Sequence, residues 1–399
     1  MEMSELQALL TPAGLELLDE IGTVDSTAEV ARVVSRLRAA GHSPALVSAV
    51  VGQAHLRSRA AAKFGPFAAR MLFTRAGLEQ ATRLAVAARH AQRMRSAGMT
   101  HVSDLGCGIG GDALAFAGAG LDVVAVDADE VTAAIAAYNL APFGGSAVVR
   151  HSTAERAIET GVPGAVWLDP ARRTAGHSET RRLGADDYSP SLDWAFDVAS
   201  RLPSGIKLGP GHDRDALPTD AEAQWVSADG SVVELVLWSG ALAREGVRRA
   251  ALVIRGERSH ELTAEADAAD AAVRPLGAFL HEPDGAVIRA RLIGDVARSL
   301  DAGMLDEHIA YLTSDAALTS PFVQSFRVRE TMAANPKAIS AALKANGIGR
   351  LEIKKRGVDI DPAAFRRKLA LAGDQEATLI LARIGDQRRA ILADRVAAA

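Results

Sequence analysis

Over residues 1–95 the apolar positions recur at helical spacing. Leu6, Leu9 and Leu10 are followed by Leu15, Leu17 and Leu18, then Val30, Val33, Val34 and Leu37, then Leu46, Val47, Val50 and Val51. Pro12-Ala13-Gly14 and Gly41-His42-Ser43-Pro44 interrupt the pattern, so this region is predicted to be a set of helices separated by turns. Beyond residue 100 short apolar runs take over. The stretch His101–Asp129 reads as a strand, a glycine turn, a helix and a second strand, and the two strands end on acids, Asp104 and Asp127.

The rest of the chain continues in short elements. Val131–Asn139 reads as a helix, Pro142–Gly145 as a turn, Ala147–Arg150 as a strand, and Ala165–Leu168 as a buried strand. Trp194–Leu202 reads as a helix, Gly205–Leu208 as a strand, and Ala223–Val226 with Val232–Trp238 as an antiparallel pair. Arg244-Glu245-Gly246 is the expected boundary of this domain. After it come a strand at Ala250–Ile254, an acidic, alanine-rich connector at Glu261–Ala272, a strand at Ala286–Leu292 and a helix through Val296. From Pro336 the pattern predicts a helix at Ala338–Ala345, a strand at Arg350–Lys354, a basic turn at Lys354–Gly357, a helix at Pro362–Leu369, and strands at Ala377–Ile384 and Arg389–Ala393. Four regions result: a helical region 1–95, an α/β domain 96–244, a small α+β domain 245–335 and a compact unit 336–399.

The glycine turn narrows the chemistry. Gly106, Gly108, Gly110 and Gly111 crowd the junction of strand and helix, where glycine permits positive φ and close approach of a ligand to the main chain. This is the nucleotide-binding half of a doubly wound, Rossmann-like α/β fold. Gly106, Gly108 and Gly111 also satisfy G-x-G-x-x-G, so a nicotinamide or flavin dinucleotide is one alternative, and a turn that only packs helix on strand is another.

Composition fits a globular protein: 48% of residues are apolar and 24% charged, and mean hydropathy is +0.07. The net charge of −4 by itself predicts no polyanionic partner, but it hides an asymmetry. Arg57–Arg95 holds nine Lys/Arg against the single acid Glu79, and residues 336–399 hold thirteen against seven acids. Two basic segments in a mildly acidic chain point to nucleic acid. The single cysteine, Cys107, excludes an internal disulfide. It reads either as a thiolate nucleophile or as a small apolar turn residue. The opening MEMSELQALLTPAG has no signal-peptide pattern and no apolar run is of membrane-spanning length, so a cytoplasmic protein is expected.

The run D-L-G-C-G-I-G-G-D, Asp104–Asp112, resembles motif I of class I S-adenosylmethionine-dependent methyltransferases. The resemblance implies that Asp104, Gly106, Cys107, Gly108, Gly110 and Asp112 line the cofactor site, and that Asp127 with Ala128 meets the ribose. Ala154-Glu155, after the third strand, would meet the adenine; a carboxylate favoured at a helix start is the alternative for Glu155. In many enzymes of this class the approach segment closes over the methionine end of the cofactor. Here that segment is Ala60–Arg83, with Thr74 and Gln80 as candidates. Thr74 reads equally as a helix N-cap, and Glu79 and Gln80 as a solvated face.

The strand Ala165–Leu168 ends in Asp169-Pro170-Ala171-Arg172, which resembles motif IV of the amino-methyltransferases, usually (Asn/Asp/Ser)-Pro-Pro-aromatic. An exocyclic base amine is a poor nucleophile because its lone pair is delocalised into the ring. Acceptors at this strand end, the Asp169 carboxylate and the Pro170 carbonyl, would hold its N–H bonds and aim the nitrogen at the methyl group. Two positions depart from the pattern: Ala171 replaces the second proline and Arg172 the stacking aromatic. A guanidinium can stack on a base or pair with phosphate, and Tyr188 or Trp194 could supply a ring instead. Asp-Pro can also be a strand-ending turn. Residues 70–243 are similar to the trimethylguanosine-synthase group of RNA guanine-N2 methyltransferases. His212, in Gly209–Asp213, is a candidate base or a plain loop residue.

The C-terminal regions resemble the ferredoxin-like and THUMP-like modules appended to certain bacterial methyltransferases. That resemblance implies an RNA-facing patch of Lys354, Lys355, Arg356, Arg366, Arg367 and Lys368, against the alternative of a solvated charged face. The whole reads as an S-adenosylmethionine-dependent methyltransferase of RNA (rRNA or tRNA), without metal or membrane, acting on an exocyclic nitrogen, guanine N2 ahead of adenine N6. Two further readings stay open. One is a methyltransferase of a protein or small molecule; the other is a non-catalytic RNA-binding protein that keeps the cofactor as a structural element.

Overall fold

A computed structural model of the chain describes residues 1–172 and 188–397, and for Arg172 its backbone only. The chain forms two compact units, Met1–Ala221 with Val236–Arg244, and Glu222–Leu235 with Glu245–Ala399.

The first unit opens with helices α1 (Met3–Leu9), α2 (Pro12–Ile21), α3 (Thr27–Ala39), α4 (Pro44–Phe64), α5 (Arg75–Gln80) and α6 (Leu84–Ser96). The breaks expected at Pro12 and Pro44 are helix starts, with proline in the first turn and Thr11 and Ser43 as N-caps. Ser26 and Glu29 close a reciprocal capping box at α3. Leu6, Leu9, Leu18, Val47, Val50, Ala54 and Phe64 form one core with Ile109 and Ile135 of the α/β part.

That part runs β1 (His101–Leu105), α7 (Gly111–Gly118), β2 (Asp122–Asp127), α8 (Glu130–Leu140), β3 (Ala147–His151), α9 (Ala154–Thr160), β4 (Ala165–Leu168), a two-residue ladder of β5 (Ala171–Arg172) with β6 (Tyr188–Ser189), α10 (Leu192–Arg201) and β7 (Ser204–Leu208). The parallel strands lie in the order β3-β2-β1-β4-β7. The direction of winding reverses between β1 and β4, and doubly wound sheets bind ligands beyond the strand carboxyl ends at such a point. Under the sheet, Trp167 packs 4.4 Å from His90, 5.8 Å from Phe116 and 5.7 Å from Trp238 between ring centroids. Gly205 makes room for this stack, since a Cβ there would sit 2.6 Å from the Trp167 ring.

Between α4 and α5 the segment Met71–Phe73 is extended and buried, with side chains supplying its hydrogen bonds. Gln53 donates to Phe73 O (2.6 Å) and accepts from Phe73 N (2.9 Å). Asn139 accepts from Leu72 N (2.8 Å) and donates to Leu72 O (3.0 Å) and Ile109 O (2.9 Å). Arg57 Nε donates to Met71 O (3.0 Å). Buried main-chain groups without a sheet neighbour need such partners.

The second unit holds β8 (Glu222–Ala228) and the first part of β9 (Ser231–Ser239). β10 (Arg249–Arg255) is parallel to β8 and antiparallel to β11 (Arg258–Ala264). Then come β12 (Phe279–Pro283), α11 (Gly285–Arg289), α12 (Ile293–Ser299), β13 (Gly303–Asp306), β14 (Ile309–Ser314), β15 (Val323–Ala333), α13 (Pro336–Ala345), β16 (Ile348–Arg356), α14 (Pro362–Arg366), β17 (Gln375–Ile384) and β18 (Gln387–Arg395). Seven of the strands form one sheet, β13-β14-β12-β15-β18-β17-β16, which continues across residue 336.

Three elements differ from the sequence reading. Glu261–Ala264 is strand rather than connector, because a β10 partner satisfies backbone that looks featureless in sequence. The apolar run at Ala286 is helix α11, started by Asp284, whose side chain accepts from Ala286 N. Lys354–Arg356 lie within β16 and pair with Ile380–Ala382, so no turn begins until Gly357.

His281 is fully buried, with Nδ1 2.8 Å from Ser325 Oγ and Nε2 2.9 Å from Ser314 Oγ. Desolvation lowers its pKa to about 4. The unfolded chain therefore takes up a proton as pH falls through about 6.5 while the native chain does not, and stability drops by about 3 kcal/mol between there and about pH 4. Denaturant unfolding at stepped pH should show this loss, and His281→Asn should flatten it; an unchanged acid slope in the variant would refute the assignment. Asn139→Leu strands three main-chain groups and should lower the stability of the first unit by about 3 kcal/mol, read as a drop in its thermal midpoint.

Candidate active site

The glycine turn has the backbone its composition predicts. Gly106, Gly108 and Gly110 have φ of 93°, 55° and 86°, and Gly110 is the left-handed cap of α7. Gly106 and Cys107 both donate to Val126 O (2.9 Å each), tying the loop to the end of β2. Gly106 also faces the second motif: a Cβ there would stand 3.1 Å from Asp169 O. The loop after β1 and the Asp-Pro turn after β4 are thus in contact at the reversal of the sheet.

Four carboxylates gather around this contact. Asp127 accepts from Gly108 N and Asp129 N, both at 2.9 Å, and burial raises its pKa. Asp112 lies in the interior, accepting from Thr82 Oγ1 (2.7 Å) with His90 Nδ1 at 2.8 Å. Burial alone would raise its pKa, but His90, Lys207 and Thr82 together hold it below the usual carboxylate range. Asp169 pairs with Lys207 at 2.5 Å. Asp104 is 1% exposed, and neither of its oxygens has a hydrogen-bond partner among the described residues. Burial first, then Asp112 and Asp169, push its pKa well above the ordinary value. A buried carboxylate without a partner, ringed by like charge, suits a ligand that carries positive charge and repels a pyrophosphate. By this test the residues present fit a sulfonium amino acid better than a dinucleotide.

The other candidates fall into place around it. Cys107 is buried and its thiol pKa is raised by burial, Asp104 and Asp127, which removes the thiolate reading. Thr74 caps α5 by accepting from Gly77 N (2.9 Å), and Gln80 is exposed at the far end of that helix. Lys63 donates to Leu78 O, Glu79 O and Ala81 O at 2.7–2.8 Å, and burial together with Lys207 and Arg83 lowers its pKa to about 8. Ala128 O lies 3.1 Å from His151 Nε2. Ala154 is buried and Glu155 stands in the first turn of α9, capped by Thr153. Pro170 is buried, Ala171 is exposed, and the ladder sets Tyr188 opposite Arg172. His212 sits in a turn closed onto Gly209 O (3.0 Å).

The sequence reading passed over Lys207, His90, Gln53 and Asn139. For Lys207 a signal existed, a lysine inside an otherwise uncharged strand, Ser204–Leu208. The six C-terminal basic residues do not share one surface. Lys354 pairs with Glu282 (2.7 Å) and lies 5.8 Å from the Phe326 ring, and Arg356 stands 5.6 Å from the Tyr311 ring. Lys355 points to the opposite, helix-bearing face by strand alternation. Arg366 donates to Leu351 O, while Arg367 and Lys368 are exposed. Among the described residues no group of His, Cys, Asp and Glu is arranged to hold a metal ion, and no helix is long and apolar enough to cross a membrane.

Residues 323–395 match a THUMP domain-like family, and residues 2–60 match a domain family of unknown function, DUF8688. A structure from Porphyromonas gingivalis W83, assigned as a methyltransferase, superposes with a TM-score of 0.72 at 20% identity, covering 94% of this chain and 100% of that one. Two Mycobacterium tuberculosis proteins, from strains CDC 1551 / Oshkosh and ATCC 25618 / H37Rv, are each named as an uncharacterized S-adenosylmethionine-dependent methyltransferase. Each is 34% identical over 363 residues, 88% of this chain and 95% of the relative. With a glycine loop, a bare buried acid and an Asp-Pro turn meeting at one sheet reversal, and with relatives this similar over nearly their whole length, the chain belongs to the family of S-adenosylmethionine-dependent methyltransferases.

Proposed function

We propose that the protein methylates an exocyclic base nitrogen of RNA, guanine N2 ahead of adenine N6. The observation that carries this reading is the contact between Gly106 and Asp169 O, which brings the cofactor loop and the acceptor motif within reach of one another. S-adenosylmethionine, when bound, supplies an electrophilic methyl group. Asp104 and the main chain of Gly106–Gly110 hold its methionyl end, with Asp112 and Cys107 buttressing the loop. Asp127 and Ala128 meet the ribose, Ala154 and Glu155 meet the adenine, and Thr74 and Gln80 belong to the covering helix.

On the acceptor side, the Asp169 carboxylate and the Pro170 carbonyl take the N–H bonds of the amine and aim its lone pair. Ala171 leaves the turn open to a flat ring. Arg172, whose backbone pairs with Tyr188 at that turn, is the residue for base stacking or phosphate contact. The THUMP domain-like match supports RNA as the partner. Lys355, Arg367 and Lys368 are exposed for phosphate contact, whereas Lys354, Arg356 and Arg366 are engaged within the unit.

Two outcomes test the two halves of this site. Transfer of labelled methyl from the cofactor to bulk RNA should fall by about a hundredfold or more in Asp169→Ala while calorimetric cofactor binding persists; undiminished transfer would refute the role. Asp104→Asn should weaken cofactor binding at least about tenfold, because the carboxyl that can ionise against the bound cation is lost. The same variant should stabilise the cofactor-free protein as pH rises. The native carboxyl keeps its proton to a higher pH than the unfolded one, so wild type loses up to about 1.4 kcal/mol per pH unit above the ordinary carboxylate range and the variant does not. Parallel melting curves between about pH 5 and 8 would read this, and curves that do not diverge would count against a strained Asp104.

A further inference from the structure

The ion pair at Asp169 has a second side. Lys207 is the one charged residue of β7, and its Nζ lies 2.5 Å from Asp169 Oδ2 and 3.0 Å from Thr82 Oγ1. Thr82 donates to Asp112 Oδ2, Asp112 meets His90 Nδ1, and the His90 ring lies against Trp167. A continuous polar chain thus joins the buried ring stack to the acceptor motif through β7, α6 and α7. The Lys207 side chain is 12% exposed and that of Asp169 32%. A cation so placed, anchored on the core side by Thr82, has little freedom and passes its fixed position on to the carboxylate.

The charges around Asp169 give this pair a chemical consequence. Asp104 of β1 and Asp112 of α7 both act on the same small region, and Lys63 of α4 faces Lys207. Lys207 sets an ammonium directly on the Asp169 carboxylate beside those acids. A carboxylate carrying an ammonium on one oxygen is a weaker general base than a bare one. A hydroxyl acceptor needs a base to remove its proton as the methyl arrives. An amine needs only a fixed hydrogen-bond acceptor during transfer, and its proton can leave to water afterwards.

We propose that Lys207 is a positioning residue for Asp169, and that the Lys207–Asp169 pair suits the site to an amine rather than a hydroxyl acceptor. This rests on the reading of Asp169 as the acceptor-binding carboxylate. The test uses the full chain with Lys207→Met and Lys207→Arg, following methyl transfer to bulk RNA between about pH 5.5 and 9, cofactor binding by calorimetry, and the carboxyl ¹³C titration of Asp169 by NMR.

For Lys207→Met the transfer rate near neutral pH should fall by about a hundredfold. Its acid limb should move up by at least about one pH unit and the Asp169 titration should move with it, with cofactor affinity followed in parallel because Lys207 also acts on Asp104 and Asp112. Lys207→Arg should restore the limb and most of the rate. Lys207→Gln repeats the measurement if the methionine variant does not fold. An Asp169 titration that stays in place when the ammonium is removed overturns the proposal. So does arginine failing to restore it, or a wild-type chain that methylates hydroxyl groups of RNA in preference to amines. If wild type transfers no methyl to RNA at all, the RNA reading fails, and the carboxyl titration still decides the role of Lys207.

Discussion

The site depends on a carboxyl group held where its ionisation is expensive. Asp104, at the end of β1, is buried with no hydrogen-bond partner among the described residues, and Asp112, Asp127 and Asp169 all act on it. Each of those three has a local partner: His90 and Thr82, the Gly108 and Asp129 amides, and Lys207 respectively. The remaining acid is the one that a ligand must satisfy. An arrangement that costs stability in the free protein and recovers it on binding makes affinity and selectivity for a cation two results of one constraint.

The fold around it keeps that constraint in register. Gly106 lets the loop after β1 lie against Asp169 O, so the cofactor loop and the acceptor turn are packed on one another. Gly205 does the same beneath the sheet, giving the Trp167 ring the space that fixes β4 beside β7. Lys207 and Asp169 extend from these two strands and meet above that packed layer.

Much of this was legible in the chain. The helical layer, the alternation from β1 to β7 and the glycine loop follow from local spacing and turn chemistry, which act within a few residues. What was not legible depended on distant partners. Helix α11 and strand β11 differ from the sequence reading because capping by Asp284 and pairing with β10 outweigh a short apolar or acidic run. The basic residues after Lys354 looked like one patch because adjacency in sequence says nothing about faces, and a strand sends neighbours to opposite sides. Lys207 and Asp169 are separated by 38 positions, and their pairing exists only once β4 and β7 are side by side.

The amide clamp on Met71–Phe73 has a consequence for how this protein can be built or divided. Gln53 and Arg57 reach the segment from α4, and Asn139 reaches it from α8, so one stretch of main chain finishes its hydrogen bonding only when both layers are present. The amino-terminal helices therefore are not a detachable accessory. Cut away, they would leave open polar backbone in the wall behind the glycine loop, and a shortened catalytic domain would inherit a seam facing water where it now has an interior.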